Sequence, residues 1–257
     1  MNLNFSQHFA KKIDQKPTTP ILMIHGLFGD LSNLNSLARG LNDYRTIIQV
    51  DVRNHGYSQH NDEMNYIVMA QDILDTLDTN SINRITVIGH SMGGKIAMTM
   101  TALAPKRIEK LIVIDIAPVT YKIKQSYVNI FKALNAVNDT NITSRQDAAQ
   151  LMRKYIPENK IINFLLKSFD YGKWRFNMSC LYKRYNEILD WKIVPSWPHP
   201  ALFIRGEYSH YLNEGYYNSV RNQFPKSQIH IIANSGHWVH FEKMSQVLNI
   251  IRQFIIK

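Results

Sequence analysis

VIGHSMGGKIAM, residues 87–98, runs from an apolar, β-branched segment through a serine set among glycines into a stretch of helix formers. A strand that turns this abruptly into a helix leaves its apex residue pointing away from both, and only small neighbours let the backbone pass so tightly. Ser91 is that apex. Gly89-His90-Ser91-Met92-Gly93 fits the G-x-S-x-G pattern in the strand-to-helix context the pattern requires. The alternative is a tight glycine-rich turn without chemistry.

Working outward, short apolar runs recur: ILMIHG from 21, TIIQVDV from 46, ITVIGHS from 85, LIVIDIAP from 111, ALFIRG from 201 and IHIIANSGH from 229. Their apolarity is continuous rather than alternating, as expected of parallel strands covered on both faces. Between them MAQDILDTLDT and QVLNIIRQFII carry apolar stripes at helical spacing. Strand and helix in alternation predict an α/β fold with a mostly parallel, doubly wound sheet, whose sites collect at the strand ends. The alternation stops after Pro118. From Val119 to Pro195 the sequence suggests helices only, SYVNIFKALNAV, RQDAAQLMRKYI and NKIINFLLKSF among them. We therefore expect a core of residues 1–118 and 196–257, with residues 119–195 inserted as a helical lid over the strand-end rim.

The 257 residues suffice for one large domain with such an insertion, and 45% hydrophobic with 19% charged residues is a globular composition. The N-terminus lacks the apolar core of a secretory signal, and no run is long enough to span a bilayer, so a cytoplasmic protein is expected. Cys180, the only cysteine, excludes an internal disulfide and any cysteine-based metal site. The net charge of +10 is concentrated between Val119 and Pro195, where thirteen Lys and Arg face six Asp and Glu. Either the segment meets an anionic partner or the codon usage favours lysine; no nucleic-acid reader motif accompanies it.

A serine hydroxyl is a poor nucleophile unless a base takes its proton and an acid orients that base. His237 follows the last apolar run, before the final helix, and comes after the serine in chain order. His240 reads as a surface or packing histidine and His90 as part of the environment of Ser91. The acid is less obvious. The position three residues after Gly206, where an aspartate often stands, is Ser209, whereas Asp115 ends the run VIDIAP beside the serine strand. A carboxylate ending an apolar run needs a partner, and the Nδ1 hydrogen of His237 would serve. Glu207 is the reserve acid, and Ser209 is a candidate fourth member bonded to the acid or histidine. Two backbone N–H groups should bind the developing oxyanion, that of Met92 after the nucleophile and that of Leu27 in the early loop HGLFG.

These residues, with MIHGLFGDLSNL (23–34), IIQVDVRNHGYS (47–58), VIGHSMGGK (87–95), IDIAPV (114–119), FLLKSF (164–169), WRFN (174–177) and GHWVHFEKM (236–244), resemble the α/β-hydrolase superfamily and, more narrowly, YbfF-type bacterial esterases. The resemblance covers nearly the whole chain. It implies the α/β-hydrolase fold with a helical lid after the sixth strand, and a cofactor-free, metal-free serine esterase acting on carboxylic esters, or a thioesterase acting on acyl-CoA or an acyl carrier protein. It also places the acid at Asp115. RGEYSHYL (205–212) departs from the family pattern. Phe131, Phe164, Trp174 and Phe176 are candidates to line an acyl pocket or are ordinary core; Phe28 and Trp238 join them as substrate-binding candidates. Lys122, Lys124 and Arg175 could meet phosphates. A carrier-protein methyl ester esterase or C–C bond hydrolase on the same scaffold, and a catalytically silent ligand-binding module, are the alternatives.

Overall fold

Alternate residues of each central strand serve opposite faces of one sheet, which is why the apolar runs are unbroken. The structure is a computed structural model that describes residues 1–12, 18–43 and 45–256. Its strands, in chain order, are β1 (Phe5–His8), β2 (Ile21–Ile24), β3 (Ile47–Val50), β4 (Ile85–His90), β5 (Ile108–Ile114), β6 (Phe169–Asp170), β7 (Lys173–Trp174), β8 (Ala201–Gly206) and β9 (Ser227–Ile232). The main sheet has the order β1-β3-β2-β4-β5-β8-β9, parallel throughout except for the antiparallel edge strand β1. Leu22, Ile24, Val87, Leu111 and Val113 face one core, and Met23, Ile88, Ile112, Ile114, Leu202 and Ile204 face the other.

The helices are α1 (Asn35–Leu41), α2 (Tyr66–Thr79), α3 (Met92–Leu103), α4 (Gln125–Asn138), α5 (Arg145–Met152), α6 (Asn159–Leu166), α7 (Met178–Lys183), α8 (Tyr185–Leu189), α9 (Tyr217–Gln223), α10 (Val239–Glu242) and α11 (Met244–Ile256). α2 and α3 pack together on one face of the sheet, α1 and α11 on the other. Asn65 starts α2 by accepting the N–H groups of Ile67 and Val68, which satisfies donors the first turn cannot.

Two sequence expectations need correction. The inserted segment follows β5, the fifth strand among the described residues, and not the sixth: a single strand, β1, precedes β2. Nor is the segment purely helical. FDYGKW folds into the hairpin β6–β7, whose two turn residues, Tyr171 and Gly172, have φ of 44° and 86°. Positive φ at both positions is what a two-residue turn matched to strand twist demands. β1 escaped the reading because FSQH is an edge strand with partly and fully exposed side chains, so it lacks the apolar run of its neighbours.

Candidate active site

Three segments far apart in sequence meet at the C-terminal edge of the sheet. β4 ends at His90 and α3 begins at Met92, so the whole reversal is made at Ser91, with φ 52° and ψ −119°. Strain of this kind persists only where the surroundings enforce it. Here the enforcement is close packing: a Cβ on Gly93 would lie 2.3 Å from the Ile24 carbonyl oxygen, and one on Gly89 would lie 2.2 Å from that of Gly93.

Asp115, the residue after β5, also has a positive φ of 56°, and its N–H donates to the Ile204 carbonyl at 2.8 Å. Its carboxylate is fully buried yet well supplied with donors. Oδ1 accepts the Gly206 N–H at 3.1 Å, while Oδ2 accepts the Ser209 hydroxyl and His237 Nδ1–H, the latter at 2.7 Å. With its proton on Nδ1, His237 presents a lone pair at Nε2, 3.0 Å from Ser91 Oγ. An acid, a base and a hydroxyl thus form one unbroken chain with the tautomer that proton removal from serine requires. Glu207 lies apart: its carboxylate is exposed and accepts the Asn234 N–H at 2.8 Å.

The loop carrying Leu27 is braced by two buried histidines. His25 Nε2 accepts the Val52 N–H at 3.0 Å, and His55 Nε2 accepts the Phe28 N–H at 3.2 Å. Burial lowers the pKa of both, that of His55 to about 3, so both remain neutral acceptors. Below them Arg53 grips Asp72 through two hydrogen bonds, of 2.5 and 2.9 Å. The amides of Leu27 and Met92 donate to no acceptor among the described residues, and both residues line one cavity with Ser91.

A second pair of neutral histidines flanks the base. His90 Nε2–H donates to the His237 carbonyl at 3.1 Å, and its ring lies 4.9 Å from that of His237 and 4.3 Å from that of His240. Burial pushes the pKa of His90 well down and that of His240 to about 3. Both rings are therefore held neutral, and His90 fixes the backbone of His237.

The remaining candidates are dispersed. Phe28, Phe131 and Phe176 are buried and pack ring to ring, with Trp174 stacked on Phe176, so they join the inserted segment to the core. Arg175 pairs with Asp30 at 3.1 Å and donates to the Lys167 carbonyl, so its charge is committed inside the chain. Lys122 is exposed, and Lys124 Nζ lies 4.8 Å from the centre of the Tyr211 ring. Phe164 and Trp238 pack against each other, 5.5 Å apart, in the wall of a cavity beneath α6. The Ser91 cavity is instead walled by Tyr66, Tyr121, Tyr127, Tyr185 and Tyr211, with Lys95 at its edge. Lys95 Nζ donates to the carbonyls of Leu189 and Asp190, each at 2.9 Å, and burial lowers its pKa to about 7. The burial follows from the place of its helix: α3 buries every residue from Met92 to Thr101, Lys95 among them.

No helix among the described residues is long and apolar enough to cross a membrane.

The chain has relatives among known proteins. The family model described as alpha/beta hydrolase fold matches residues 19–244. The chain is 49% identical to Esterase YbfF of Escherichia coli over 255 residues, covering 99% of each chain. It is 34% identical over 250 residues to the sn-1-specific diacylglycerol lipase ABHD11 of Xenopus tropicalis, covering 93% of this chain and 78% of that one. Among solved structures a marine microorganism esterase superposes with a TM-score of 0.91 at 30% identity, covering 98% of this chain and 99% of that one.

Proposed function

The chain belongs to the α/β-hydrolase fold family, among its YbfF-type esterases, and on that premise we propose that it hydrolyses carboxylic esters through Ser91, His237 and Asp115 by way of an acyl-enzyme. Ser91 Oγ attacks the acyl carbon while its proton passes to His237 Nε2; Asp115 holds Nδ1–H and stabilises the imidazolium that results. The N–H groups of Leu27 and Met92 receive the oxyanion. His237 then returns the proton to the departing oxygen, and the acyl group remains on Ser91. Water, deprotonated by the same Nε2, attacks that acyl carbon, and collapse of the second oxyanion releases the acid and restores the serine. A thioester would follow the same steps with sulfur as the leaving atom.

The observation that carries the reading is the Asp115–His237–Ser91 chain, at 2.7 and 3.0 Å. Support comes from the positive φ at Ser91 and from the two unpaired amides beside it. The segment of residues 119–195 would act as the lid, since its tyrosines wall the serine cavity.

A fluorophosphonate probe tests this directly. Wild-type protein is expected to be labelled on Ser91 and the Ser91→Ala protein to remain unlabelled; equal labelling of both would refute the assignment. A panel of esters, acyl thioesters, methyl esters and vinylogous diketones then decides between the esterase and the other reactions this scaffold supports. A protein that is never labelled and turns over none of them would be a binding module.

A further inference from the structure

Among the described residues Lys95 is the only cation lining the Ser91 cavity, and it is 1% exposed. Its backbone N–H donates to the Ser91 carbonyl at 3.2 Å, so its side chain leaves α3 one turn beyond the nucleophile. The carboxylate that favours its charged form is that of Asp190, which instead accepts the Thr120 hydroxyl at 2.7 Å. A charge buried without an ion-pair partner costs stability. Methionine, which α3 already carries at Met98 and Met100, would fill the same space. Lys95 therefore needs a reason other than packing.

The reason lies in what its ammonium group holds. The two connections between the inserted segment and the core cross beside it. The Tyr121 N–H donates to the Leu189 carbonyl and the Trp191 N–H to Thr120 Oγ1, each at 3.0 Å. The Gln223 side chain bridges the same pair, accepting Trp191 Nε1–H at 3.1 Å and donating to the Pro118 carbonyl at 3.4 Å. Lys95 Nζ ties this crossing to the serine helix through the Leu189 and Asp190 carbonyls, and stands 4.7 Å from the centre of the Tyr121 ring. From Tyr121 the contacts run to the reactive groups. Its hydroxyl accepts the Ala117 N–H at 2.8 Å and donates to the Tyr211 carbonyl. The Tyr211 N–H donates to Ser209 Oγ at 3.2 Å, Ser209 donates to Asp115, and the Tyr211 ring lies 4.3 Å from that of His237.

We propose that Lys95 is a positioning residue for ester hydrolysis: it fastens the crossing of the two connections to the serine helix, and so holds Tyr121 and Tyr211 in place against Asp115 and His237. The role rests on the esterase reading above. Burial raises the pKa of Tyr66, Tyr121, Tyr127, Tyr185 and Tyr211 around the cavity, and the Thr120 hydroxyl lowers that of Asp190, so none of these changes charge near neutrality. Lys95, lowered by burial to about 7, does. On losing its proton it keeps N–H donors for the two carbonyls but loses the charge that strengthens those bonds.

Two variants of the intact chain test the role. Lys95→Met keeps the volume and removes charge and donors; Thr120→Val loosens the same crossing from the solvent side without altering the charge of the cavity. A hydrogen bond from a charged group is worth roughly tenfold or more. In Lys95→Met, kcat/KM for phenyl acetate should therefore fall about tenfold, and hydrogen exchange at the Tyr121 and Trp191 amides should quicken by a similar factor. Its thermal midpoint should stay at or above that of the wild type, because an unpaired buried charge has gone. Thr120→Val should lower kcat/KM in the same direction. Between pH 7 and 9 the wild type should lose kcat/KM as Lys95 gives up its proton; Thr120→Val keeps this alkaline limb and Lys95→Met lacks it. With the wild type labelled at Ser91, a Lys95→Met protein that matches its kcat/KM, loses activity only in step with its thermal midpoint, or keeps the alkaline limb overturns the role and leaves the esterase reading standing. Should Lys95→Met fail to fold, an unchanged kcat/KM in Thr120→Val overturns it. A wild type unlabelled at Ser91 and inactive on every ester overturns both.

Discussion

The four neutral histidines around the site make stability fall with acid, in a window and by an amount that can be worked out. Burial lowers the pKa of His25, His55, His90 and His240, to about 3 for His55 and His240. The unfolded chain binds protons at these imidazoles with a pKa of about 6.5. Because the folded value is depressed, the unfolded state holds more protons below pH 6.5, and stability must decrease as pH falls. At pH 5 an unfolded imidazole is almost fully protonated while His55 and His240 stay neutral in the fold, which costs about 2 kcal/mol for each. His25 and His90 act in the same direction. The sum is a large part of the roughly 5–15 kcal/mol that holds a domain together. Denaturant titrations at pH 8, 7, 6 and 5 should therefore show little change between pH 8 and 7 and a steep loss below pH 6. Calorimetry in buffers of different ionisation enthalpy should find at least about two protons taken up on unfolding at pH 5. A flat stability profile from pH 7 to 5, or uptake of less than one proton, would refute the claim that these rings are held neutral.

Replacing Asp115 with Asn lets an amide N–H face His237 Nδ1 and favours the wrong tautomer, so kcat on a short aryl ester should drop by about 10⁴-fold, whereas Glu207→Gln should stay near wild type; the reverse ranking in steady-state assays would name Glu207 as the acid. Asp72→Asn leaves the Arg53 guanidinium buried without its ion-pair partner, and should cost about 3–5 kcal/mol in urea unfolding. Gly93→Ala forces a methyl group against the Ile24 carbonyl; the elbow must shift, and fluorophosphonate labelling of Ser91 should fall sharply even in whatever fraction remains folded. Ser91→Ala removes the labelled hydroxyl but no packing, so it should abolish labelling with little change in thermal stability.

Much of this arrangement was legible from the chain alone because it depends on local rules. Unbroken apolar runs specified buried parallel strands, and Gly-x-Ser-x-Gly between a strand and a helix fixed where the serine sits. Asp115 could be singled out since a carboxylate ending an apolar strand needs a partner. β1 and the β6–β7 hairpin were illegible for the converse reason: an edge strand with polar exposure and two-residue strands carry too few apolar residues to produce a pattern.

Residue type, spacing and periodicity, which act within a few positions along the backbone, determined the sheet, the elbow and the three candidate reactive side chains. Which side chains wall the two cavities was decided by packing between segments a hundred residues apart. Phe28, Phe131 and Phe176 went into the core, five tyrosines came to surround Ser91, and Arg175 was drawn to Asp30. Shape and burial are properties of the assembled volume, and no local stretch encodes them.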